Sequence, residues 1–282
     1  MASDPPGYYG LPLLKAPVWT WEVPAYFFVG GAAGGAALIA AMARTAGGHD
    51  DLSRHARWVA AVGAAASPPL LIADLGRPER FLNMLRVFKL QSPMSVGAWT
   101  LVAFSNAAAA AAFADLVDRM SGGRVPVRTL GNAAEALAAA TGLVLSTYTG
   151  VLIGATAIPA WSKNARILPL HFGTSGLSSA VAILELLGHR TRALNVIGAA
   201  AAAIETLVGG TIELREDEAL VPLKQNWTGT VTRVGGVLSG PLPLALRLVA
   251  GRSPAARKAA AVSTIIGSLL TRVGWLEAGK AR

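Results

Sequence analysis

The chain has no cysteine, few charges and few aromatic residues. Without cysteine it holds no disulfide, no thiolate metal site and no iron–sulfur cluster ligated by its own thiolates. Charged residues make up only 15% of the 282 positions and aromatics 6%, while 53% are hydrophobic. An ordinary soluble domain carries about 25% charged residues. Too little charge is present to cover a soluble protein of this size, so most of the surface is expected to face lipid. The high apolar content excludes intrinsic disorder. Histidine is scarce: His49, His55, His171 and His189. Only His171 falls near the interior of an apolar run, so a haem held by two facing imidazoles within a membrane is not expected. Walker A, HExxH and GxSxG sequences are absent.

What the chain has is long apolar runs. The mean hydropathy is +0.48. A bilayer needs about 20 apolar residues per helix. Eight candidate spans follow: Val23–Ala43, Trp58–Leu75, Met94–Val117, Ala133–Ile158, Leu168–Leu187, Ala193–Leu214, Gly229–Leu248 and Ala259–Val273. The seventh carries Arg233, Pro241 and Pro243, and the eighth is short. Short turns separate them, so residues 1–282 read as one all-α polytopic bundle with both termini on one side. Residues 1–19 have neither the basic start nor the short apolar core of a signal peptide. Glycines at GxxxG spacing, Gly30/Gly34 and Gly31/Gly35 in helix 1 and Gly150/Gly154 in helix 4, let backbones approach closely.

The net charge is +9. No basic stripe with interleaved aromatics accompanies it, so nucleic acid is not an expected partner. Lysine and arginine divide almost evenly between the two sides. On the side away from the termini they crowd into four short loops, which favours those loops as cytoplasmic and the termini as periplasmic or extracellular. The expected location is the cell inner or plasma membrane.

Polar groups inside spans are costly and tend to face the bundle interior. Glu22 and Tyr26 open helix 1 on one face. Asp74 closes helix 2, Tyr148 lies inside helix 4, His171 opens helix 5, Glu205 is deep in helix 6, Arg233 begins helix 7 and Arg272 ends helix 8. Each has a plain alternative: an interface anchor, an aromatic belt, a turn in which Asp74 pairs with Arg77 or Arg80, or helix packing. Together they imply a polar cavity opening toward the termini, with the other half of the membrane apolar except at its edge. Acid, phenol and imidazole suit a molecule whose reduction takes up protons. In the loop spanning 76–92, Phe81, Leu85 and Phe88 recur at helical spacing among Arg77, Arg80, Arg86 and Lys89. This predicts a short basic amphipathic helix at the surface, for lipid headgroups or another subunit.

These residues resemble the NrfD/PsrC family, the membrane subunit of polysulfide reductase-type oxidoreductases. The resemblance covers most of the chain: WTWEVPAYFFVGGAAGG, ADLGRPERFLNM with SPMSVGAW, TYTGVLIGATAIPAW, HFGTSGLSSA and GSLLTRVGWLEAGKA. It implies an eight-helix, haem-free subunit that binds quinone or quinol, menaquinone or ubiquinone. The chain would exchange electrons with a ferredoxin-like iron–sulfur subunit that serves a molybdopterin catalytic subunit, and would not be catalytic alone. The family's quinone pocket lies among the first four helices, which brings in Glu22, Val23, Tyr26 and Tyr148. The polysulfide reductase subunit has asparagine and histidine where this chain has Val23 and Tyr26. The expected cofactor-binding set is Glu22, Tyr26, Asp74, Arg77, Tyr148 and His171. The rival readings are an ion-translocating or secondary transporter, suggested by Glu205 and the proline-broken helix 7, and a passive membrane anchor for a redox partner.

Overall fold

The computed structural model describes residues 17–250 and 253–280. The signal-peptide reading of the first residues, and Lys15, Arg252 and Arg282 in the charge comparison, lie outside them. The described residues form α1 Glu22–Ala46, α2 Asp50–Asp74, α3 Arg80–Met84, α4 Pro93–Met120, α5 Arg128–Gly154, α6 Pro159–Ser162, α7 Leu168–Leu186 and α8 Arg192–Leu214. A 3-10 turn at Glu218–Leu220 then leads to α9 Val221–Lys224, α10 Asn226–Ser239, α11 Pro241–Ala250 and α12 Pro254–Ala278. There is no strand among the described residues.

Six helices, α1, α2, α4, α5, α8 and α12, are long and apolar enough to cross a membrane. The short eighth span of the sequence is thus a full 25-residue helix, opened by Ser253, whose side chain accepts from the Ala256 N–H ahead of a first-turn proline. The seventh is not one helix. It breaks at Gly240 into α10 and α11, of 14 and 10 residues. At 1.5 Å per residue these are about 21 and 15 Å long, each too short to span alone. Pro241 and Pro243 lack the N–H groups a continuous helix would use. The two still make one traverse, because their contacts run in antiparallel register along all of α8: Arg233 on Glu213, Gly240 beside Thr206, Arg247 beside Gly198. Helix α7, of 19 residues, is mostly enclosed within the bundle.

The described ends meet on one side, here the terminal side. The Trp19 ring stacks on Trp161 with centroids 5.5 Å apart. Trp161 Nε1 donates to the Trp275 carbonyl at 2.7 Å. Close helix contact rests on the expected glycines. A Cβ on Gly34 would lie 2.3 Å from the Gly142 carbonyl of α5, and one on Gly35 2.9 Å from Leu177 of α7. In α2, Pro68 cannot donate to the Ala64 carbonyl, and the Ser105 hydroxyl of α4 does so instead at 3.2 Å.

Three expectations are corrected. The helix in the 76–92 loop is a single turn, Arg80–Met84, with no buried residue. Beyond it Ser95 pins the chain to the start of α4, accepting from the Lys89 N–H at 3.0 Å and donating to the Val87 carbonyl at 3.2 Å. Asp74 does not pair with Arg77 or Arg80. Its Oδ1 accepts from the Thr20 backbone N–H at 3.0 Å, and the Thr20 hydroxyl oxygen lies at the same distance. The half of the bundle away from the termini is not apolar inside. Arg57 Nε donates to buried Glu135 at 2.8 Å, with Arg44 on the same carboxylate. Arg247 grips buried Glu185 through two bonds of 2.9 and 2.7 Å.

Candidate functional site

Of the six expected site residues, Glu22, Tyr26, Asp74 and Tyr148 form one group, His171 lies in another, and Arg77 is on the loop after α2. The first lies where α1, α2, α4 and α5 meet near the terminal side. The first turns of α1 bring Glu22 and Tyr26 to one face, and Tyr26 is 2% exposed. Tyr148, 6% exposed, projects from α5 toward the first turns of α4. Only glycine at position 97 admits it, since a Cβ there would sit about 2 Å from the Tyr148 ring and hydroxyl. The two tyrosines are close enough to interact electrostatically. Neither hydroxyl has a hydrogen-bond partner among the described residues. Two donors on buried rings are therefore available to a ligand.

Glu22 is half-buried and accepts from the Thr20 hydroxyl, which also contacts Asp74. Thr20 thus ties the start of α1 to the end of α2 and brings two carboxylates together at the terminal side. Arg77 is exposed on the following loop and makes no ion pair among the described residues.

His171 belongs to the second group. It begins α7 as expected, but α7 turns it away from the tyrosines toward α8 and α12. Its Nδ1 stands 3.3 Å from Glu205 Oε1, and both residues are buried. The two atoms are misaligned for a hydrogen bond and have no other partner. Glu205 Oε2 accepts from the Ser239 hydroxyl at 3.2 Å, at the end of α10. A cavity of about 470 Å³ adjoins this pair, walled by α8, α10 and α12. Of the expected site residues, His171 alone lines it.

Arg272 lies deeper still and is wholly buried. It donates to the Ser175 hydroxyl at 2.9 Å and the Ser268 carbonyl at 3.0 Å, and also meets the Ser268 hydroxyl. The Phe172 and Phe28 rings flank its charge at 5.4 and 5.8 Å. Glu205 is the carboxylate that acts on it electrostatically. Serines at 175, 179 and 268 are therefore a cage for a buried cation. Their spacing in α7 and α12 was the signal that sequence reasoning passed over, together with Thr271 and Trp275 on the cavity wall.

At the terminal surface, Lys163 donates to Asp217 at 3.0 Å and Arg215 reaches the same carboxylate. These contacts join the α6–α7 and α8–α9 connections and hold the Asp217 carboxyl below its usual pKa, the Lys163 bond first among the causes.

The sequence model of the family described as polysulphide reductase, NrfD, matches residues 13–223, which run through α1 to α9. No curated protein matches the chain.

Proposed function

The chain belongs to the polysulphide reductase, NrfD, family, and from that premise we propose that it is the quinone-binding membrane subunit of a respiratory oxidoreductase complex. The observation that supports this best is the pair of buried tyrosines, Tyr26 and Tyr148, whose hydroxyls have no hydrogen-bond partner among the described residues. Two such donors inside a membrane bundle fit a ring carbonyl.

A bound quinol supplies two electrons and two protons as it becomes quinone; a bound quinone takes up the same. The chain's part is to place the ring, donate hydrogen bonds and move protons. Tyr148, fixed over Gly97, and Tyr26 would hold the ring oxygens. Glu22 and Asp74, joined through Thr20, would pass protons to the terminal side. The electrons would go to or come from an iron–sulfur cluster of a ferredoxin-like partner docked there, itself serving a molybdopterin subunit. The 76–92 loop offers that partner exposed Leu82, Phe88 and Leu90 among basic side chains. Arg77 is assigned to this docking surface and to the rim of the pocket. The complex would sit in the cell inner membrane with the termini outside.

A second reading, an ion-translocating subunit, is favoured by the break at Gly240, level with buried Glu205. Turnover separates the readings. Tyr148→Phe removes one hydroxyl, and a lost hydrogen bond of about 1 kcal/mol weakens quinol binding several-fold. Glu22→Gln removes a proton acceptor and should slow quinol-coupled turnover roughly a hundredfold. Both should leave the partner's activity with a soluble dye intact. Wild-type quinol turnover per assembled complex in both variants contradicts the proposal.

A further inference from the structure

The cavity beside His171 and Glu205 has a shape that the tyrosine cluster does not explain. Helices α8 and α10 touch at Gly240, where a Cβ would lie 2.9 Å from the Thr206 hydroxyl. Toward the terminal side they part. A Cβ on Gly209, Gly210 or Gly236 would meet nothing within 4 Å. Arg233 and Glu213 then close the gap again, with nitrogen and oxygen 2.6 Å apart. The result is a window in the outer wall, floored by the Thr206–Gly240 contact and topped by an ion pair. Gly210 and Val237 are exposed at its edge. On a membrane-spanning face, such a window opens on lipid.

Behind the window the walls are mainly apolar, and four polar atoms gather at the inner side: His171 Nδ1, Glu205 Oε1, Thr271 Oγ1 and Trp275 Nε1. All four are buried and without a hydrogen-bond partner. Buried polar atoms are rarely left so. The indole N–H is a donor only, the carboxylate accepts, and the hydroxyl and imidazole do either. A volume of about 470 Å³ lies in the range of small-molecule sites.

We propose that this cavity is a second binding site, for a lipid-soluble ring compound with hydrogen-bonding oxygens, reached sideways from the bilayer between α8 and α10. Resting on the function proposed above, the ligand is a quinone or quinol. Trp275 and Thr271 donate to a ring carbonyl, and Glu205 accepts from a ring hydroxyl, so both oxidation states find partners. An acyl chain would fill the apolar part but leave the four polar atoms unpaired.

The test uses the assembled complex in phosphatidylcholine nanodiscs, labelled by light with an azido-naphthoquinone bearing a short prenyl tail. Mass spectrometry then maps the label. The expected label lies within residues 205–213 and 232–241 and is displaced by excess unlabelled naphthoquinone. Gly236→Leu should reduce it at least tenfold by filling the window, and Gly209→Leu is the second blocking variant. A Cβ at either position meets nothing within 4 Å, and leucine favours a helix more than glycine does. Tyr148→Phe should leave this label intact. Label confined to α1, α4 and α5 overturns the second site while leaving the proposed function standing. Label in residues 205–241 that survives both blocking variants, or that unlabelled naphthoquinone does not displace, also overturns it. No displaceable label anywhere overturns both.

Discussion

Arg247→Met should destabilise the bundle far more than its place on a ten-residue helix suggests. Two bonds of 2.9 and 2.7 Å join its guanidinium to Glu185 on α7, and both side chains are 1% exposed. Gly198 on α8 makes the room, since a Cβ there would sit 2.4 Å from the guanidinium carbon. The pair thus clamps α11, the half-helix with no continuous backbone to carry it, onto α7 across α8. Removing one partner strands a buried charge. That costs about 3–5 kcal/mol, whereas replacing both by apolar groups of similar volume is close to neutral. At 1.4 kcal/mol per factor of ten, the single variant loses roughly two to three and a half decades in folding equilibrium. The assay is unfolding of purified protein by dodecyl sulfate titration in dodecyl maltoside. Arg247→Met and Glu185→Met should each lose about 3 kcal/mol or more, and the double variant no more than about 1. Additive losses below about 1 kcal/mol each would refute the clamp.

Gly34→Ala should cost about 1–3 kcal/mol in the same titration through overpacking against Gly142, although alanine alone would favour the helix. Gly209→Ala, which meets nothing, should not. His189, in the loop after α7, contacts His55, with Nδ1 of His55 2.7 Å from its Nε2. Burial first, then His55 and Arg54, hold its pKa below the ordinary 6.5 against the opposing pull of Asp51. The neutral form therefore favours the fold: its contribution is complete above pH 6.5 and is lost as pH falls through the lowered value. Melting temperature should drop between about pH 7.5 and pH 5.5, and less so in His189→Asn; an equal drop in the variant counts against this. Reporter fusions after Gly48, Gly123 and His189 should share one side, cytoplasmic, and a C-terminal fusion the other. Termini on opposite sides would mean that α10 and α11 do not complete a traverse.

Long apolar runs reveal most of this architecture because each spanning helix must satisfy its own backbone. Six spans could be read from length and hydropathy alone. Pro241 and Pro243 pointed to trouble in the seventh, but the break falls at Gly240, and only the register along α8 makes two pieces one crossing. In the 76–92 loop, the period of Phe81, Leu85 and Phe88 suggested a helix that local bonds to Ser95 stop after one turn. Glu135 and Glu185 lay inside predicted spans yet drew no notice, because their arginine partners come from other helices. For the site, Glu22, Asp74 and His171 could be grouped by their common depth, while Tyr148, placed deeper, joined Glu22 and Tyr26 only through the family resemblance. Depth could not tell which neighbours His171 meets, since that depends on how α7 is turned between α5, α8 and α12. It meets Glu205.

Under the proposed function this chain binds quinone without haem. The direct measurement is solvent extraction and chromatography of the purified complex, beside its reduced-minus-oxidised spectrum. At least one quinone per chain and no Soret band are expected. A complex active with dye that carries no quinone, turns over no quinol and retains stoichiometric haem b would contradict the proposed function.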